Sequence, residues 1–176
     1  MKVKNLYFSP VKSLSFNKVD TLEIIKHIGI KNDRIFAFSN NLNFKDIELI
    51  KNNPLKREIY KFLSLKKYPE LNEYNFLLED NFLILEFENN IILKTDIDNQ
   101  HEVKILCSKL EDILPNINKI NLLKDRVNPF FDTMPNKSIS LINLNSIKDF
   151  EKQSNHQIEH ERFRGNIYVC LLYTSP

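Results

Sequence analysis

Glycine occupies only two of the 176 positions, Gly29 and Gly165, so the chain has almost no residue that takes a positive φ without steric cost. That scarcity excludes two nucleotide-binding architectures, because the G-x-G-x-x-G dinucleotide fingerprint and the phosphate-cradling P-loop each need several closely spaced glycines. Turns must instead be built by Asn and Asp, whose short polar side chains tolerate left-handed backbone. They are placed to do so at Glu79-Asp80-Asn81 and Glu88-Asn89-Asn90, which divide Glu73 to Thr95 into the three short strands of a meander.

Alternation over Lys2 to Phe8, with Val3, Asn5 and Tyr7 on one face, predicts a strand ended by Pro10, and a second strand is predicted over Lys18 to Ile28. The turn between them carries Lys12 and Ser13. Asn32-Asp33-Arg34 leads into the apolar alternation Ile35-Phe36-Ala37-Phe38. Phe44, Ile47 and Ile50 are spaced for a short helix over Phe44 to Lys51, stopped by Asn52-Asn53-Pro54. A longer helix is predicted where Val103, Leu106, Cys107, Leu110, Ile113 and Leu114 recur at helical intervals between an Asp98 or Asn99 cap and Pro115. Cys107 then reads as a small core residue. Further on come a strand over Ile117 to Leu123, a loop through Phe131-Asp132-Thr133 and a buried strand over Ile139 to Ile142. A helix capped by Asn143 follows, with Leu144, Ile147 and Phe150 facing inward.

Hydrophobic residues make up 42% of the chain, enough for a core, while a net charge of +2 and a pI near 8.4 fall short of the concentrated basic face of a nucleic-acid-binding domain. Cys107 and Cys170 form no C-x-x-C pair, so a zinc ribbon or redox dithiol has no support. His156 and His160 lie four apart without a third ligand at fixed spacing. No apolar run approaches the roughly 20 residues of a membrane span, and Met1 opens into Lys2-Val3-Lys4 without a signal-peptide core. A cytoplasmic protein without nucleic-acid or membrane partners is expected.

Three groups of residues carry candidate chemistry. Arg162 and Arg164 share parity, so an extended segment puts both guanidinium groups on one side and Phe163 on the other. Gly165 lets the backbone turn or lie close to a ligand, and Asn166 adds a donor and an acceptor. This is the chemistry of an anion site; the competing reading is a solvated basic turn entering an edge strand. The Lys12-Ser13 turn can hold a phosphate or pterin oxygen, or be ordinary surface. Arg34 can bind a ligand, or pair with Asp33.

Three segments resemble, in order, the MOSC domains of molybdenum-cofactor proteins: Tyr7-Phe8-Ser9-Pro10-Val11-Lys12-Ser13, Phe131-Asp132-Thr133-Met134-Pro135 and Arg162-Phe163-Arg164-Gly165-Asn166-Ile167. Asn32-Asp33-Arg34 resembles the Asp-Arg start of a family strand. The resemblance implies a β-rich mixed α+β chain. A MOSC N-terminal β-barrel domain would span residues 1–120, a truncated MOSC domain 121–169, and a non-native tail 170–176. It implies that Lys12, Ser13, Arg34, Thr133, Arg164 and Asn166 bind a molybdenum cofactor (molybdopterin); Met134 departs from the Ser often found beside Thr133. The resemblance also implies pyridoxal phosphate binding.

The implied function is the cofactor-binding portion of an oxidoreductase acting on small substrates, N-hydroxylated ones among them. Its electrons would come from a partner reductase or iron–sulfur protein. The alternatives are a sulfur-carrier or cofactor-sulfurase module and a non-catalytic RNA-binding barrel using Phe36, Phe38 and Phe62. The family's metal-ligand cysteine lies well beyond the Arg-Phe-Arg element and Cys170 does not match it, so no metal ligand or catalytic residue is assigned. On this reading the strand Ile167 to Val169 is expected to present an unpaired edge.

Overall fold

In the computed structural model residues 1–114, 116–131 and 138–171 are described. Along the chain these are β1 (Lys2–Phe8), β2 (Asn17–Val19), β3 (Ile24–Ile25), β4 (Gly29–Ile30), β5 (Phe36–Phe38) and α1 (Phe44–Asn52). They continue as β6 (Tyr74–Glu79), β7 (Phe82–Phe87), β8 (Asn90–Asp96), α2 (Gln100–Ile113), β9 (Leu122–Lys124), β10 (Leu141–Asn143), α3 (Leu144–Ser154) and β11 (Ile167–Cys170). The architecture is mixed α+β and rich in strands. The strands form four sheets, and no closed barrel is formed among the described residues.

Contacts gather into two units, each discontinuous in sequence: Met1–Phe8, Phe16–Lys31 and Ser138–Pro176 in the smaller, Ser9–Ser15 and Asn32–Lys137 in the larger. In the larger, β6, β7 and β8 form the antiparallel meander, with the turns where Asp80, Glu88 and Asn89 adopt positive φ. Those residues do the work that glycine does elsewhere, at a cost in backbone strain that the short polar side chains of Asp80 and Asn89 keep small. Among the described residues each α-helix starts at an asparagine. Asn43, Asn99 and Asn143 each accept from an amide of the first turn, filling a donor that the helix leaves orphaned. Leu106, Cys107 and Leu110 of α2 are buried in a core with Phe36, Phe38, Phe76, Leu83 and Leu85. The second cluster, Ala37, Ile47, Ile50, Phe62, Leu123 and Phe130, joins α1 to the β5–β9 pair.

The smaller unit has a four-stranded sheet in the order β10-β11-β1-β2. Here three expectations fail. The predicted strand over Lys18 to Ile28 is two short pieces, because the chain leaves β1 after Val19 and re-forms as the β3–β4 hairpin, with His27 and Gly29 at positive φ. Leu141 and Phe150, expected to face inward, are exposed, while Ile147 is buried. β11 is not an unpaired edge: β10 pairs with it in parallel through Ile142↔Tyr168, and β1 in antiparallel through Leu6↔Ile167. The partner strand comes from the other end of the sequence, so local reading could not supply it. Tyr168 and Val169 are fully buried as a result.

Candidate functional site

Within the larger unit, the Ser9–Ser15 turn is fixed by the backbone on both flanks. Lys12 N donates to Phe36 O at 2.7 Å, Phe36 N to Pro10 O at 3.0 Å and Arg34 N to Ser9 O at 2.6 Å. Ser9 Oγ donates to Val11 O at 2.7 Å, and Ser15 Oγ accepts from Phe76 N at 2.5 Å. Ser13 and Ser15 sit at φ 61° and 60°, so the turn is left-handed at two residues that have a Cβ. Such backbone is held only where its surroundings over-determine it. Lys12 is 2% exposed, with Nζ 5.6 Å from the centroid of Phe62.

Arg34 also lies at positive φ. Its guanidinium donates to Asp33 Oδ2, and Asp33 Oδ1 accepts from Ser9 N at 2.8 Å, so one buried carboxylate binds both the arginine and the start of the turn. The Arg34 guanidinium carbon lies 5.3 Å from the centroid of Phe131. The loop bringing Phe131 there is stapled by Arg57, a residue to which no role was assigned from sequence. Its Nε donates to Ile50 O at 3.0 Å, its terminal nitrogens to Asp125 Oδ2 at 2.6 Å and to Asn128 O, and its guanidinium stacks 4.3 Å from the Phe130 centroid. Asp132, Thr133 and Met134 follow this loop and lie outside the described residues.

In the smaller unit, the Arg-Phe-Arg element is not extended. His160–Phe163 is one turn of 3-10 helix, and Arg164 caps it at φ 49°, donating its N–H to Glu161 O at 2.9 Å. The shared-side argument from strand parity therefore does not apply. Its place is taken by stacking, with the Arg164 guanidinium carbon 5.2 Å from the centroid of Phe16. Gly165 is a close-packing position, since a Cβ there would fall 2.5 Å from Ile142 Cδ1. Asn166 is buried and ties strands together: Oδ1 accepts from Ser140 N at 3.2 Å and Ser140 Oγ at 2.9 Å, and Nδ2 donates to Tyr7 O at 3.3 Å. These bonds use both acceptor positions of the Asn166 amide oxygen.

The same turn carries a constellation that sequence reasoning passed over. Tyr7, 3% exposed, donates its hydroxyl to Glu161 Oε1 at 3.0 Å, and His160 Nε2 lies 3.1 Å from that oxygen and 3.1 Å from Asn5 Nδ2. Tyr168 OH donates to His160 O at 2.7 Å and accepts from Gly165 N at 3.0 Å. The Tyr7 ring stacks on Phe16 at 4.6 Å, placing Arg164, Phe16 and Tyr7 in one column. Burial, with the Glu161 carboxylate beside it, pushes the Tyr7 phenol up to about 12. The spacing of His156 and His160 did not show this, because the partners Asn5 and Tyr7 are some 150 positions away; the odd-numbered face of β1 was the available signal.

Both cysteines are free, Cys107 buried and Cys170 half-buried. Burial pushes the Cys107 thiol up to about 11, away from the reactive thiolate. Cys170 Sγ lies 3.7 Å from Asn145 Oδ1 at the end of β11. Among the described residues no group of three or more His, Cys, Asp or Glu could hold a metal ion, and no helix is long and apolar enough to cross a membrane. No family model, curated protein or solved structure matches the chain.

Proposed function

We propose that the chain is the molybdenum-cofactor-binding portion of a cytoplasmic oxidoreductase acting on small, including N-hydroxylated, substrates, with electrons supplied by a separate reductase or iron–sulfur protein. One observation carries the reading beyond the order of the three resembling segments. Arg34 and Arg164 are each set at a left-handed residue with the guanidinium stacked on an aromatic ring, Phe131 and Phe16 respectively. Stacking fixes the plane of a guanidinium, whose rigid fork of N–H donors is the form of cation suited to a phosphate or pterin oxygen. The left-handed Ser13 turn adds the Ser13 hydroxyl, a donor of the same kind.

The residues fit such a group in part. In the larger unit Lys12, Ser13 and Arg34 are groups of the kind that holds it, with Asp33 taking part of the Arg34 donor set, and in the smaller unit Arg164 is another. Asn166 fits less well, its acceptor already filled by Ser140, and it serves the reading by keeping the Arg164 turn in place. When bound, the group would supply the two-electron redox chemistry. The barrel assignment for the N-terminal part belongs to the same proposal. It is tested by purifying the protein from a host that makes the cofactor, then measuring molybdenum content and the fluorescence of the oxidised pterin. Near-stoichiometric pterin is expected; protein carrying neither pterin nor molybdenum would overturn the reading.

A further inference from the structure

We infer that the larger unit carries a second binding site, a groove beside α2 for a small anionic amphiphile of the unbranched acyl carboxylate type. The groove encloses about 490 Å³, within the range of small-molecule sites. Its floor is apolar: Ile97, Val103, Cys107, Ile120 and Leu122. Its outer lip is polar, formed along α2 by Gln100, Lys104, Ser108 and Glu111. These fall at intervals of four, four and three, so they make one stripe, next to the stripe of Val103 and Cys107. From Gln100 to Glu111 the helix rises about 16 Å, which makes the site long and narrow, a shape for a chain rather than a disc.

The charges select the head group. Glu111 is committed, its Oε1 accepting from Ile120 N at 2.7 Å, which also fixes the far wall. Lys104 is exposed on the lip and, among the described residues, makes no ion pair. A carboxylate on Lys104 with an alkyl chain over the floor satisfies both the cation and the apolar surface. The buried Cys107 thiol, inert by its raised titration, contributes a smooth apolar wall. None of Lys12, Ser13, Arg34, Arg164 or Asn166 lines this groove, so it stands or falls apart from the cofactor proposal.

The test is a titration of the isotopically labelled full chain with decanoate below its micelle concentration, followed by amide NMR. Saturable shifts confined to α2 and residues 120–122 are expected. Lys104→Glu should weaken binding at least tenfold, Lys109→Glu on the same helix but outside the groove should leave it unchanged, and decyltrimethylammonium should bind at least tenfold more weakly than decanoate. Val103→Trp, at the groove wall, should abolish the shifts while far-ultraviolet circular dichroism stays that of the wild type. Shifts that never saturate, that spread over all three helices, or that are indifferent to Lys104→Glu and to the sign of the head group would overturn the site.

Discussion

The two units hold themselves together by different means. In the larger, eighteen buried residues of one cluster and six of a second surround β5, the meander and α2, so stability comes from apolar area removed from water. The buried cluster of the smaller unit contains Tyr7, Ile147 and Tyr168, two of them phenols, and its strands are joined through side-chain bonds of Asn166, Ser140, Tyr7 and His160. Apolar burial is non-directional and tolerates repacking, whereas a polar staple holds one geometry and fails if a single partner is lost. The turn that carries Arg164 is built the second way.

The contrast can be broken by substitution. The largest effect is expected at Phe36, fully buried in the larger core: Phe36→Ala should cost about 3–5 kcal/mol by urea denaturation. A cost below about 1 kcal/mol would mean that the larger unit is not organised around this cluster. Next comes Asn166→Ala, which removes the acceptor of Ser140 N and Oγ and the donor to the Tyr7 carbonyl and should cost about 2–3 kcal/mol. Hydrogen exchange should place that loss in β1, β10 and β11 and leave α2 amides protected. Uniform loss of protection would contradict the distinction between the units.

A smaller effect separates the hydroxyl of Tyr7 from its ring. Tyr7→Phe keeps the stack on Phe16 and removes the bond to Glu161, for about 1 kcal/mol at neutral pH. Its pH signature is more specific. The folded phenol titrates at about 12 against an ordinary 10.0, so its contribution is fully present below pH 10.0 and is lost as pH rises through about 12. Wild-type stability should therefore fall in that window, and the fall should be smaller in Tyr7→Phe. Equal alkaline slopes would show that the phenol is not held as described.

Local features were legible in the sequence because their causes are local. The caps at Asn99 and Asn143, α1 and α2 nearly residue for residue, and the meander with its two polar turns all follow from spacing within a few residues. The pairing of β1 with β11 and the contact of Tyr7 with His160 were not, since each joins positions some 150 residues apart. The Arg162–Arg164 turn was misread for a related reason. Parity fixes side-chain direction only in a strand, and here Arg164 N–H bonds back to Glu161 O and closes a helical turn. Of the candidate site, Lys12 and Arg34 were identifiable as residues but not in their settings, the one buried beside Phe62 and the other bound to a carboxylate that also holds Ser9.

The most direct test of the cofactor reading is the pterin content of Arg164→Ala purified beside wild type, read together with its Tm. On that reading the Arg164 guanidinium, stacked on Phe16, contributes to binding more than to packing, and losing a charge-assisted bond costs about 1.5–3 kcal/mol of affinity. The expected result is at least a tenfold weaker retention of pterin with the Tm unchanged. Unchanged pterin and molybdenum content with a lowered Tm would contradict it, and would make Arg164 the cap of its turn and nothing more.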